Sequence, residues 1–381
     1  MIMTEKVAPV VILTASFGEG HNSAARNVAA ALGELGVGVE VYDPVGLASP
    51  VLAGMAAKLY GEVTTKFPAG WEWFFEVTRG GPFGPVWWDR LVGVGSWLEG
   101  MLRERRPRAV VSTFPLYPHF LGELGRRVGW SGGVWTVVTD SLTIHPVWMS
   151  LGVTGWFVTD EFTAEVLACA GVDAGRVEVS GFPVPLVFGG LGRGEGRAAG
   201  GLRVLYLATT GRRHARETLG SLLRELPGGS ELSVVMGRSG ERLRGELGPL
   251  VERLGGRLRV ELLGWCGDIP ERMRWADVVV TKAGGATVHE CLAAGVPAVV
   301  NYVIPGQEEG NMVLLERLGA GCRAPREASD CGAFVRSLAE SGRLVLMREA
   351  AQRHGRSDGA MVVARRIFNS MELKHDPGVS L

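Results

Sequence analysis

Short β-branched runs alternate along the chain with longer segments of helical period. Residues 10–14 (VVILT) form an unbroken apolar run of strand length. Ser16-Phe17-Gly18-Glu19-Gly20-His21 follows as a turn, and 22–35 repeats alanine and leucine at helical spacing. Further strand-like runs lie at 37–42, 109–113, 134–139, 155–159 and 177–179. Strands apolar on both faces and separated by helices predict a parallel sheet covered on each side. A glycine- and arginine-rich stretch over 189–201 has no period and reads as a linker. The rhythm then restarts at 202–208, 231–236, 258–262, 277–280 and 297–300. The pattern predicts an α/β chain with two Rossmann-like parallel-sheet domains, one over 1–188 and one over 202–345, and a helical tail over 346–381. Ligands of such sheets sit beyond the carboxyl ends of the strands, so the expected site is a cleft across which the two domains face each other.

An insertion over 47–107 breaks the rhythm of the first domain. It carries Trp71, Trp73, Phe74, Phe75, Phe83, Trp87, Trp88 and Trp97, with Lys58, Lys66, Arg79, Arg90, Arg103, Arg105 and Arg106 among them. Aromatic rings beside cations suit a bilayer interface, where a segment lies without spanning. Packing of helices against the sheet accounts for the same rings, and the two readings stay level.

Composition narrows the functional classes. The 381 residues exceed what one hydrophobic core sustains, about 250–300. Lys+Arg and Asp+Glu are 40 each, so no net basic field draws the chain to nucleic acid. The five cysteines are scattered without CxxC spacing, which signals neither a zinc site nor a disulfide framework and fits a reducing compartment. No apolar stretch reaches about 18 residues, and the first residues lack a signal-peptide layout. A cytoplasmic protein, peripheral on the cytoplasmic membrane, is the expectation.

Three segments carry candidate chemistry. In the first turn, Gly18 and Gly20 let the backbone approach an anion at a helix N-terminus, and His21 is a candidate general base. After the strand-like run 134–139, Asp140 and His145 lie at the same edge of the sheet as His21, where a carboxylate and imidazoles suit binding and deprotonating a hydroxyl. The alternative there is a capped turn with Asp140 as its N-cap. In the second half, VVVTKAGGATVHE reads as strand, glycine turn and helix, presenting backbone N–H groups to phosphate, with Glu290 placed to take two ribose hydroxyls. Pro305-Gly306-Gln307-Glu308-Glu309-Gly310-Asn311 then clusters groups suited to the hydroxyls of a sugar. By this chemistry alone the second half is a nucleotide-sugar site.

The segment TKAGGATVHECLAAGVPAVVNYVIPGQEEGN resembles the donor-binding signature of family 28 glycosyltransferases, TKxGGxTxxE with PGQExxN. VILTASFGEGHNSAARNVAAAL is similar to the N-terminal motif of their diacylglycerol glycosyltransferase branch, and STFPLYP, VVTDSLTIHPVWMS, TDEFTAEVL and VSGFPVPLVF continue the likeness in order. It spans roughly residues 10–325. The resemblance implies a GT-B fold and an inverting, metal-independent transfer of a hexose from a UDP-sugar (UDP-glucose or UDP-galactose) to diacylglycerol at a membrane surface; Lys66, Arg79 and Arg90 among the insertion's rings suit anionic lipid there. Position by position, it implies that Glu290 holds the ribose and that Gly284, Gly285, Ala286 and Thr287 line the diphosphate. Gln307 and Glu308 would contact the sugar with Asn311 in support. Gly237-Arg238 and Trp265-Cys266 would lie on the uracil side, and His21, Asp140 and His145 would face the acceptor. Trp71, Trp73, Phe74, Trp87 and Trp88 are the expected membrane contacts. One departure stands out. Where the family carries a glycine-rich loop such as GGGxG, this chain has Ala208-Thr209-Thr210-Gly211-Arg212-Arg213-His214, in which Arg212 and Arg213 are candidates to charge-balance a diphosphate.

The insertion generates a test. Replacing Trp71, Trp73 and Phe74 by serine is expected to reduce binding to anionic vesicles while leaving UDP affinity intact. Loss of thermal stability together with UDP affinity identifies the rings as core instead.

Overall fold

The computed structural model describes residues 8–16, 18–50, 54, 93–150, 152–190, 201–237, 240–306 and 308–372. The expected membrane contacts Trp71, Trp73, Phe74, Trp87 and Trp88 lie outside these residues, as do Arg238 and Gln307. The chain divides into two units, Met1–Leu186 with Ser357–Leu381, and Val187–Arg356.

In the first unit, β1 (Val10–Leu13), β2 (Val39–Tyr42), β3 (Ala109–Ser112), β4 (Gly133–Val137), β5 (Gly155–Val158) and β6 (Val177–Val179) form one parallel sheet in the order β2-β1-β3-β4-β5-β6. Its helices are α1 (Glu19–Glu34), α2 (Pro44–Ala48), α3 (Val94–Arg105), α4 (Pro118–Val128) and α5 (Glu161–Cys169). Alternation along β1 explains the layering: Val11 and Leu13 enter a core with α3 and α4, whereas Val10 and Ile12 enter one with α1. The second core is completed by a helix from the end of the chain, Gly359–Glu372. Its Ala360, Val363, Ala364, Ile367 and Met371 follow helical spacing and are all buried. The expected tail over 346–381 is therefore split between the units. Trp97, in the described end of the insertion, is partly buried and meets Tyr42 edge-on at 5.2 Å, a packing role.

The second unit repeats the design. After the short helix α6 (Val187–Gly190), strands β7 (Arg203–Leu207), β8 (Glu231–Val235), β9 (Arg259–Leu263), β10 (Val278–Lys282), β11 (Ala298–Tyr302) and β12 (Gly321–Arg323) pair in the order β12-β11-β10-β7-β8-β9, all parallel. Helices α7 (Arg212–Glu225), α8 (Gly240–Leu254), α9 (Ile269–Trp275), α10 (Gly285–Ala294), α11 (Glu309–Leu318), α12 (Cys331–Glu340) and α13 (Arg343–His354) cover it, and the returning helix of the first unit is α14. The two parallel sheets match the expected fold class. β12 has no counterpart in the apolar pattern because Gly-Cys-Arg is too short and too polar at its end to register as a strand.

In both sheets the first strand of the unit is flanked by strands reached in opposite directions. The topological switch points therefore fall between β1 and β3, and between β7 and β10.

Ile367, fully buried in α14, supplies a test of the returning helix. Ile367→Ala is expected to destabilise the first unit by about 2–5 kcal/mol, read as an earlier transition in denaturant unfolding of the whole chain.

Candidate active site

The switch point of the first unit assembles His21. Gly18 ends the loop after β1 at φ +112°, a backbone state that a side chain would strain, and α1 begins at Glu19. His21 thus sits in the first turn of α1 rather than in the preceding loop. Its Nδ1 lies 2.7 Å from the carbonyl oxygen of Thr113, the residue just after β3, and 3.0 Å from Thr139 Oγ1. Thr113 Oγ1 in turn donates to the His21 carbonyl at 3.1 Å. A carbonyl only accepts, so Nδ1 carries the proton and Nε2 keeps a lone pair. Phe114 meets the ring edge-on at 5.3 Å and Trp148 lies against it at 6.0 Å. Burial among them pushes the imidazole pKa down to about 4, with the Thr113 carbonyl acting in the opposite sense. The ring is neutral, and able to accept a proton, at any physiological pH.

In the segment after β4 the cap role expected of Asp140 falls to His145. Trp148 Nε1 donates to Asp140 Oδ2 at 2.9 Å, so Asp140 holds the indole that packs on His21 instead of capping a helix. His145 is the cap: Val147 N donates to its Nδ1 at 3.2 Å at the start of the 3-10 turn Pro146–Trp148. Neutral His145 therefore carries its proton on Nε2 and is a donor, the opposite tautomer to His21. Between them Leu142 adopts φ +57°, an uncommon state for a leucine. It is held by its N–H donating to Thr163 Oγ1 at 3.0 Å. Thr163 is anchored by the buried Asp160, which also caps α5.

In the second unit the end of β10, the head of α10 and the residues just before α11 come together. Gly284 precedes α10, and no side chain caps that helix, so the first-turn N–H groups of Gly285, Ala286 and Thr287 have no intrahelical acceptor. A Cβ at Gly284 would lie 3.1 Å from Lys282 Nζ and 3.7 Å from Glu308 Oε1. The end of β10, the head of α10 and the Glu308 loop therefore meet at one point. Glu308 is buried; Lys282 pairs with its Oε1, and Ile304 N donates to its Oε2 at 3.1 Å. Asn311 is buried too. Its Nδ2 donates to Ala283 O at 3.0 Å, while Oδ1 has no partner among the described residues. Glu290 lies half-buried further along α10. The loops after β8 and β9 approach closely, because a Cβ at Gly240 would lie 2.7 Å from the Gly264 Cα. Gly237 adopts φ +60° there. Trp265 is 62% exposed beside Cys266, whose thiol pKa burial and then Asp268 push up.

Two sequence expectations change. Arg212 and Arg213 do not turn into the loop after β7: Arg212 pairs with Glu246 at 3.0 Å and Arg213 with Glu217 at 2.8 Å. His214 fills that loop instead, its Nδ1 3.2 Å from Thr210 Oγ1 and its ring edge-on to Tyr302 at 5.5 Å. Lys282, Thr113, Thr139 and Trp148 were not among the expected site residues. Thr113 had one available signal, its place at the end of a strand beside β1.

The His21 environment predicts a pH dependence. The unfolded chain takes up the proton near the ordinary value of 6.5, the folded chain only near 4. The unfolded state thus binds more protons between these values, so the His21 contribution is flat above pH 6.5 and stability falls as pH drops towards 4. Denaturant unfolding of His21→Asn at pH 7 and pH 5 is expected to show a smaller pH 5 loss than the parent.

Residues 21–184 match the model for monogalactosyldiacylglycerol (MGDG) synthase, and residues 230–330 match the glycosyltransferase family 28 C-terminal domain. The chain is 27% identical over 390 residues to a processive diacylglycerol beta-glucosyltransferase of Bacillus cereus (strain AH187), covering 97% of this chain and 96% of that one. It is also 27% identical over 362 residues to the protein of that name in Bacillus cytotoxicus, at 90% and 88% coverage. Among solved structures, MurG of Acinetobacter baumannii superimposes with a TM-score of 0.65 at 17% identity, over 95% of this chain and 99% of MurG. Anabaena HepE, solved with UDP-glucose, gives 0.54 at 14% identity over 96% and 99%. With its two parallel Rossmann-like sheets the chain has the GT-B fold, its first half similar to MGDG synthase and its second half similar to the family 28 glycosyltransferase C-terminal domain.

Proposed function

We propose that the protein transfers a hexose from a UDP-sugar, UDP-glucose or UDP-galactose, to the free hydroxyl of diacylglycerol, giving a β-glycosyldiacylglycerol for membrane glycolipid. The observation that carries the reading is the uncapped head of α10, set against the Lys282–Glu308 pair and the unpartnered Asn311 Oδ1. Backbone N–H groups and the helix dipole there suit a diphosphate, and the buried polar groups suit sugar hydroxyls. Glu290 takes the ribose. The names of the Bacillus relatives support diacylglycerol as acceptor.

In this mechanism the acceptor oxygen forms a bond to the anomeric carbon from the face opposite UDP. The bond from that carbon to the β-phosphate oxygen breaks, and the configuration inverts. The proton of the hydroxyl passes to Nε2 of His21. A desolvated imidazole is a weak base, so the transfer follows the rise in hydroxyl acidity as the new bond forms. Asp140 holds Trp148 against His21, and His145 Nε2–H is a donor to an acceptor oxygen. The charge left on UDP is stabilised by the head of α10. No step is assigned to a metal. No helix among the described residues is long and apolar enough to cross a membrane. Peripheral attachment at the cytoplasmic face, through the aromatic insertion, is the arrangement this acceptor requires.

Glu290→Ala is expected to weaken UDP binding by about 1.5–3 kcal/mol, measured by calorimetry. Unchanged affinity removes Glu290 from the site. His21→Ala is expected to lower turnover about 10²–10⁴-fold with UDP affinity nearly intact. A comparable loss in His145→Ala alone transfers the base to the other segment. Product analysis with UDP-glucose and UDP-galactose, each on vesicles with and without diacylglycerol, tests the whole reading. UDP release that depends on diacylglycerol supports it; tight UDP-sugar binding without release points to a nucleotide-sugar-binding regulator.

A further inference from the structure

A second concentration of polar chemistry lies away from the head of α10. Along α7, Arg212, Arg216, Gly220 and Arg224 follow at four-residue spacing and share one face. Opposite them α8 presents Glu246, Leu250 and Arg253, and the two faces line a groove of about 640 Å³. Gly220 lies at its floor, where the helices pack closely: a Cβ would come within 3.3 Å of Arg224 Nη1 and 3.6 Å of Leu250 Cδ2.

The charge in this groove does not cancel. Arg212 and Arg213 have Glu246 and Glu217 as partners. Arg216, Arg224 and Arg253 are exposed, and among the described residues none of them has an acidic partner. Without an acidic partner among the described residues, these three guanidinium groups repel one another in a chain whose formal net charge is zero. Their planar forks match the oxygens of phosphate groups, which accept two parallel N–H bonds from one arginine.

The groove is also not the donor site. The crossovers β7–β8 and β8–β9 run in one direction along the sheet and β10–β11 in the other, so right-handed connections place α7 and α8 on one face and α10 on the opposite face. The packing agrees: α7 contacts α8 and α12, whereas α10 contacts α9 and α13.

We propose that the α7–α8 groove is a second anion site, which binds a phosphate-bearing ligand with at least two negative charges independently of the nucleotide sugar. Such phosphates come from a soluble ligand or from anionic lipid headgroups, and two experimental arms separate these sources. In the first, inorganic pyrophosphate is titrated calorimetrically into the full chain at low salt, with UDP saturating. In the second, the chain is floated with phosphatidylcholine vesicles with and without phosphatidylglycerol. The variant Arg216→Gln/Arg224→Gln/Arg253→Gln is expected to lose about ten-fold or more in affinity in at least one arm, with its unfolding temperature unchanged. Loss in the pyrophosphate arm alone identifies a soluble phosphate ligand, and loss in the vesicle arm alone a lipid headgroup. A control with the exposed Arg126, Arg353 and Arg365 changed to glutamine removes the same charge elsewhere and is expected to behave like the parent. Equal binding by groove variant and parent in both arms overturns the proposal, as does an equal loss in the control. Pyrophosphate binding that appears only without UDP also overturns it, because the probe then reports the nucleotide site. Neither arm requires turnover, so the result stands apart from the proposed transfer reaction.

Discussion

The constraint on which the site depends is the reversal of strand order inside each sheet. In the first unit, β2 and β3 lie on either side of β1, so the connections leaving β1 and β3 diverge and leave a crevice above their ends. His21 and Thr113 occupy those two ends, and the 2.7 Å bond between them spans the reversal. That bond sets the imidazole tautomer, and the tautomer decides which nitrogen is available for chemistry. In the second unit the same reversal between β10 and β7 frees the head of α10 from any neighbouring loop that would cap it. Strand order thus decides where both groups of residues meet.

Burial then makes the polar groups in these crevices selective. Lys282 and Glu308 form a pair at the edge of the second sheet, with the carboxylate almost wholly buried. A pair of this kind contributes little net stability, but removing one partner leaves a costly lone charge. Glu308 stands directly before α11, the helix that carries Asn311, whose buried amide oxygen has no partner among the described residues. In the first unit, Asp160 does comparable work through Thr163, which holds Leu142 in its left-handed conformation. Polar networks of this sort specify geometry more than they add stability.

The strands and the strand–turn–helix unit around Gly284 were legible in the sequence because they depend on local pattern. Apolar runs announce strands whatever lies around them, and a glycine turn after one announces the head of a helix. Residues whose role is set by non-local contacts were not legible. His145 rather than Asp140 is the cap because capping is decided by which side chain reaches Val147 N, while the Asp140 carboxylate accepts from Trp148. Arg212 and Arg213 seemed placed for a diphosphate by their position after β7. Helical geometry instead turns them towards α8 and along α7, where glutamates meet them. The tail over 346–381 was visible as helical, but nothing local showed that its second helix, 359–372, belongs with the first sheet.

That return of α14 has a consequence for how the protein is made. Synthesis runs from the N-terminal side, so the first sheet is produced long before the helix that covers one of its faces. Until Gly359–Glu372 leaves the ribosome, Val10, Ile12, Ala109 and Val111 lack part of their apolar cover. The second unit, whose residues are contiguous from 187 to 356, has its whole sequence available earlier. The order of completion is therefore the reverse of the order of translation, and the nascent first unit carries an open hydrophobic face while the second unit is made.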